Sequence, residues 1–156
     1  MIKTIGVIGA GQMGNGIAHV CALAGYEVVL QDINADQLGK ALDVVSANMN
    51  RQIARGKISE ADRAAALARI RTSNDIRVFA ETDFVVEAAT ENEGVKKKIF
   101  ADLCPVLKKD AILATNTSSI SVTRLASSTD RPEKFMGMHF MNPVRVMQLV
   151  ELIRGI

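Results

Sequence analysis

The sequence predicts a doubly wound α/β domain built on a mainly parallel sheet. Short apolar strand candidates alternate with stretches of helical period along the chain. Those candidates are unbroken apolar runs, the pattern of strands covered on both faces. Helix-length connections between them imply right-handed β–α–β crossovers.

Ile5 to Ile8 is the first strand candidate and stops at Gly9. Met13, Ile17, Val20, Cys21 and Ala24 then recur at helical spacing, and Gly25 stands where a left-handed residue closes a helix. Glu27 to Leu30 is the second strand, ending at Gln31-Asp32. Leu38, Ala41, Leu42, Val45 and Met49 mark the next helix, and Ser59-Glu60-Ala61-Asp62 opens a shorter one. Phe84-Val85-Val86 reads as a strand, with Val95, Ile99, Leu103 and Leu107 as the stripe of the helix after it. Ala111 to Ala114 is the next strand, followed by Thr115-Asn116-Thr117-Ser118-Ser119. Lys134 to His139 and Gln148 to Ile153 are two later strands.

The composition fits one such unit over residues 1–156. The formal net charge is +2, with 48% apolar and 23% charged residues. A near-neutral balance gives no electrostatic case for nucleic acid or an anionic membrane as partner. No apolar run approaches the ~18 residues that cross a bilayer, and the N-terminus lacks the pattern of a secretory leader. Cys21 and Cys104 are too few for a disulfide framework, so a reducing, cytoplasmic setting is expected. Two separated histidines and two separated cysteines offer no metal-ligand set.

Gly9-Ala10-Gly11-Gln12-Met13-Gly14 matches G-x-G-x-x-G. Context gives the pattern weight: it follows a strand, opens a helix, and Asp32 lies 18 residues beyond Gly14 at the next strand's end. Gly9 permits the tight turn, Gly11 lets the backbone approach a pyrophosphate, and Gly14 lets helix pack on strand. The helix start, with Gln12 and Met13, offers free N–H groups to phosphate. Asp32 accepts from a ribose diol and repels a 2′-phosphate, so NAD is expected rather than NADP. The fold is therefore a Rossmann-type dinucleotide-binding domain; the competing reading is a plain βα turn with a solvated acid at Asp32.

Such a fold does not specify a reaction. Of the two histidines, His19 sits beside the first helix's apolar stripe and reads as structural. His139 ends an apolar strand in Met138-His139-Phe140-Met141-Asn142-Pro143, where ligands bind in open α/β sheets. Ser118 likewise follows a strand. Glu151 lies 12 residues after His139, a spacing at which two strands joined by a short turn lie side by side.

With these landmarks the sequence resembles the N-terminal NAD-binding domain of the L-3-hydroxyacyl-CoA dehydrogenase family, most closely its bacterial 3-hydroxybutyryl-CoA branch. The resemblance covers essentially the whole chain. It rests on the glycine loop with Gly16-Ile17-Ala18, Val86-Glu87-Ala88-Ala89 before Glu91-Asn92, and Lys96-Lys97-Lys98-Ile99-Phe100. Asn116-Thr117-Ser118-Ser119, His139-Phe140 with Asn142-Pro143, and Leu149-Val150-Glu151 complete it. It implies that His139 exchanges the proton of a substrate 3-hydroxyl while hydride passes between C3 and the nicotinamide. An imidazole suits that task because it titrates near neutrality. Glu151 would bond the far ring nitrogen, and Ser118 and Asn142 would bond substrate oxygens or the nicotinamide end. Glu91 and Lys96 match positions that contact the cofactor. An acyl-CoA substrate and, for full-length relatives, a homodimer are implied.

Bland readings stand beside these: a helix N-cap for Ser118, a helix-start acid for Glu91, a structural pair for His139 and Glu151, and a solvated face for Lys97 and Lys98. Arg51 and Arg55, four apart, are a weak candidate for coenzyme A phosphates. Met141 and Arg145 stand where relatives often carry Phe and Pro. The resemblance covers the family's N-terminal domain, so the all-helical second domain of that family is expected to lie outside these 156 residues. The alternative reading is accordingly an NAD-binding module with little or no turnover. A β-hydroxyacid dehydrogenase reading lacks that class's catalytic lysine in a helical domain, and a serine hydrolase reading lacks the G-x-S-x-G elbow.

Overall fold

A computed structural model describes residues 1–117, 119–140, 144 and 150–154, the last segment with the side chains of Leu152 and Ile153. Strands β1 (Thr4–Ile8), β2 (Glu27–Gln31), β3 (Ile70–Ser73), β4 (Phe84–Glu87), β5 (Ile112–Thr115), β6 (Phe135–Phe140) and β7 (Val150–Arg154) form one sheet. Their order is β3-β2-β1-β4-β5-β6-β7. All neighbours run parallel except β6 and β7, which are antiparallel. After β3 the chain returns to the far side of β1, which makes the junction of β1 and β4 the switch point of the sheet.

The unbroken apolar strands are explained by two cores. Val28, Leu30, Phe84 and Val86 face one, and Val29 and Val85 face the other. Helices α1 (Gln12–Leu23), α2 (Ala35–Ala54) and α3 (Glu60–Ala68) cover the first face. The second is covered by α4 (Glu93–Leu103), α5 (Val122–Ser127) and the 3-10 segment Ile76–Glu81, with Phe100 and Phe135 meeting edge to face. Each buried aliphatic or aromatic side chain contributes roughly 1.5–3 kcal/mol.

Helix ends follow local chemistry. α1 closes in a Schellman arrangement: Tyr26 N–H donates to Cys21 O, Gly25 N–H to Ala22 O, and Gly25 takes φ +102°. α3 opens with the capping box of Ser59 and Asp62. Three departures from the sequence expectations are informative. β3 has no apolar pattern to predict it because it is an edge strand with three polar residues and none of its four side chains buried. α5 went unread because six residues hold too little of a helical period. The buried stripe of α4 is Lys96, Phe100 and Leu103, one position round from the expected one, while Val95 is exposed. Leu107 lies beyond that helix, which ends at Leu103 just before Pro105.

One brace ties the amino ends of β1 and β4. Asp83 accepts N–H groups from Lys3 at 2.7 Å and Thr4 at 3.0 Å and pairs with Lys108. The Lys108 ammonium, then the two N–H groups, hold its carboxyl well below the usual carboxylate range. Its pKa is lower folded than unfolded, so the stabilisation is present above the ordinary carboxylate range and is lost as pH falls toward the folded value. Asp83→Asn is therefore expected to lower the denaturant midpoint near pH 7, with the gap to the parent narrowing between about pH 5 and about pH 2. A gap independent of pH would contradict this. Among the described residues no helix is long and apolar enough to cross a membrane.

Candidate active site

The glycine loop leaves β1 at Gly9, whose φ of +99° and close contact with Ala88 and Ala89 exclude a side chain. Gly14 in the first turn of α1 packs so tightly that an added Cβ would lie 1.6 Å from Gly9 O. Gly11 differs. Its φ is −73° and an added Cβ would meet nothing within 4 Å, so the protein alone gives no reason for glycine there. The reserved space lies at the start of α1, where a ligand's phosphates would approach the backbone. That helix start also stands apart: α2, α3, α4 and α5 are capped by Asn34, Ser59, Asn92 and Ser121, whereas α1 has no side-chain cap. Its first-turn N–H groups, including those of Gln12 and Met13, are left for an external acceptor.

Asp32 directly follows β2 and reaches this loop. Its Oδ2 accepts the Ala10 N–H at 2.8 Å and its Oδ1 the Asn34 N–H at 2.9 Å. Each oxygen keeps a further lone pair, so the carboxylate braces the loop and can still accept from a diol. Beside it lies a cleft of about 740 Å³ with Gly9 and Asp32 on one side and Ile33, Ile76, Val95 and Ile99 as apolar walls. The sequence pattern places Val95 and Ile99 on a helix stripe and gives no role to Ile33 or Ile76. Ile33, 91% exposed directly after Asp32, was the available signal.

Across the switch point, the carboxyl ends of β4, β5 and β6 gather the remaining candidates. Glu91 follows β4, and its Oε2 accepts from Thr117 Oγ1 and Ser119 Oγ, both at 2.8 Å. The carboxylate thus bridges the β4–α4 turn to both residues flanking position 118. His139 lies near the end of β6, half-exposed, and its Cα partner in β7 is Glu151. Ser118 and Asn142 lie outside the described residues, as does the Glu151 side chain.

The family model for the NAD-binding domain of 3-hydroxyacyl-CoA dehydrogenases matches residues 4–156. A 3-hydroxybutyryl-CoA dehydrogenase of Bradyrhizobium diazoefficiens is 56% identical over 156 residues, 100% of this chain and 53% of the relative. The chain belongs to the 3-hydroxyacyl-CoA dehydrogenase family. The crystal structure of (S)-3-hydroxybutyryl-CoA dehydrogenase from Ralstonia eutropha matches at TM-score 0.98 and 49% identity, covering 100% of this chain and 55% of that one. A 3-hydroxyadipyl-CoA dehydrogenase of Escherichia coli is 43% identical over 155 residues, 99% of this chain and 33% of the relative. The chain spans about half the length of the first of these dehydrogenases. The family is thus matched through its NAD-binding domain, and the fold and cofactor class expected from the glycine loop agree with it.

Lys96 is placed differently from the expectation of a cofactor contact. Its side chain is fully buried and its ammonium pairs with Glu87, which is also fully buried. Glu87 accepts further from Thr115 Oγ1 at 2.7 Å and Ala89 N–H at 2.8 Å. The pair therefore ties α4 to the ends of β4 and β5 beneath the site. Lys96→Met leaves a buried carboxylate without its countercharge and is expected to cost about 3–5 kcal/mol. Glu87→Gln with Lys96→Met is expected to recover most of that in denaturant unfolding; additive losses would contradict it. Lys97 and Lys98 are exposed and pair with Glu93 and Asp102.

His19 is buried in α1, with Nε2 2.8 Å from Gln52 Oε1 of α2, the structural role expected of it. Arg51 and Arg55 are exposed at the end of α2, and Arg51 donates to Asn48 Oδ1. Burial pushes the Cys21 thiol up to about 11 and also raises that of Cys104, so neither is a thiolate nucleophile near neutrality. Among the described residues no cluster of three His, Cys, Asp or Glu is arranged to hold a metal.

Proposed function

We propose that these residues are the cofactor half of an NAD-dependent dehydrogenase acting on L-3-hydroxyacyl-CoA thioesters of 3-hydroxybutyryl type. The observation that carries the reading is the register of His139 opposite Glu151 at the carboxyl end of β6, in a sheet whose switch point holds the glycine loop. Directly opposed residues of an antiparallel pair lie roughly 5 Å apart at Cβ, close enough for a carboxylate to orient an imidazole. The names of the relatives supply the substrate class.

NAD, when bound, supplies the redox chemistry. The chain's own residues do the rest. Gly9, Gly11 and Gly14 with the α1 start, through Gln12 and Met13, receive the phosphates, and Asp32 holds the adenosine ribose. His139 takes the proton of the 3-hydroxyl during oxidation and returns it to the ketone oxygen during reduction. Glu151 fixes the imidazole's tautomer. Ser118 and Asn142 hold the substrate oxygens, and Glu91 steadies Thr117 and Ser119. Lys96 acts from beneath. A cytoplasmic setting suits the two free thiols, and a homodimer is the assembly proposed for the full-length protein.

Supplying NAD with L-3-hydroxybutyryl-CoA should yield NADH and acetoacetyl-CoA. Absence of product, or preference for the D epimer, would sink the reading. The half-length match favours a second reading for the 156 residues alone: a cofactor module whose turnover depends on the rest of the protein. Asp32→Ala is expected to weaken NADH binding about tenfold, since it loses a diol acceptor and the Ala10 brace, and to narrow the preference against NADPH. An unchanged NADH-to-NADPH ratio by fluorescence titration would remove Asp32 from the ribose site.

A further inference from the structure

We propose that Asn116 is a positioning residue for His139, acting through the backbone of β6. Pairing between β5 and β6 runs out at Thr115 and Gly137, yet β6 continues for Met138, His139 and Phe140. On its other edge this extension is held by β7, with His139 opposite Glu151 and Phe140 opposite Val150. On the β5 side Phe140 has no strand partner. Its N–H donates to the side-chain Oδ1 of Asn116 at 3.0 Å.

Asn116 is itself fixed. It is 8% exposed and its own N–H donates to Glu87 O at 2.8 Å, which carries the β4–β5 ladder one residue past its last registered pair. The side chain thus serves as one extra rung of sheet where backbone pairing has ended. Asparagine suits this because its acceptor is neutral, short and placed on a side chain with few rotatable bonds. Without that rung, the peptide following His139 would be held from one edge only. A catalytic imidazole displaced by about 1 Å costs on the order of 10²-fold in rate. The inference rests on the proton-transfer role proposed for His139, and its test separates the two.

Two variants of the full protein suffice. Asn116→Ala removes the acceptor, and Asn116→Asp restores an oxygen at the same place. In Asn116→Ala, hydrogen exchange of the Phe140 amide is expected to quicken at least about tenfold while amides of α2 keep their protection. The kcat for acetoacetyl-CoA reduction is expected to fall at least about tenfold, with NADH affinity and KM within about threefold. Asn116→Asp should recover the Phe140 protection and most of kcat. Unchanged exchange in Asn116→Ala, an unchanged kcat despite a released amide, or Asn116→Asp no better than Asn116→Ala would each overturn the proposal. Should the parent lack turnover, the proposed reaction fails, and the inference is read from the imidazole resonances instead. The signals of His19 and His139 are assigned by substituting each in turn. A moved His139 signal with an unmoved His19 signal supports it, and an unmoved His139 signal overturns it.

Discussion

His139→Ala is expected to lower kcat about 10²–10⁴-fold, the range for loss of a positioned general acid–base. NADH affinity should stay within about twofold, because the glycine loop and Asp32, the residues proposed to hold the cofactor's phosphates and ribose, lie across the switch point from β6. The side chain stands on the sheet's antiparallel edge, half-exposed, so its removal leaves no buried cavity. Melting temperature is therefore the control: it should move by no more than about 2 °C. Steady-state kinetics with an NADH fluorescence titration on the same preparation checks all three. Parallel loss of turnover and NADH affinity would make His139 a structural residue.

Gly11→Ala and Gly14→Ala are expected to separate binding from stability. At Gly14 the added methyl would lie 1.6 Å from Gly9 O, a contact only movement of backbone can relieve. A loss of at least about 3 kcal/mol is expected, with NADH affinity lost alongside. At Gly11 the methyl has open space and an ordinary backbone conformation to occupy. Alanine there should leave the melting temperature within about 2 °C and weaken NADH binding about tenfold or more. If Gly11→Ala bound NADH as the parent does, the open space at the start of α1 would not be the phosphate site.

The parts legible in the sequence are those whose physics is local. β1, β2, β4 and β5 are apolar on both faces, so runs such as Phe84-Val85-Val86 show plainly. The glycine loop is contiguous, and Asp32 follows it at the next strand end, so the dinucleotide site could be read without tertiary contacts. The pairing of His139 with Glu151 agrees with their 12-residue spacing, which allows two strands joined by a short turn to lie side by side. What escaped depends on residues brought together from afar. Asn116 reaches Phe140, 24 positions on, through a contact that exists only once β6 outruns β5. Lys96 sits in a run of three lysines and is expected, from the resemblance, to contact the cofactor. Its spacing from Phe100 and Leu103 was the sign that it turns inward, but an isolated charge on a buried stripe is credible only when its partner, Glu87, is known. Val95 looked like core and is instead exposed at the cleft, while Ile99 packs against the second core and lines the cleft as well, since helical period alone does not distinguish a core from an apolar ligand site.

The most direct measurement is a single cuvette experiment: titrate NADH into the protein by fluorescence, then add acetoacetyl-CoA and follow NADH absorbance. Saturable binding followed by oxidation of NADH, abolished in His139→Ala, is the expected result. Saturable binding with no oxidation in the full-length protein would contradict the dehydrogenase reading and leave only the cofactor site standing.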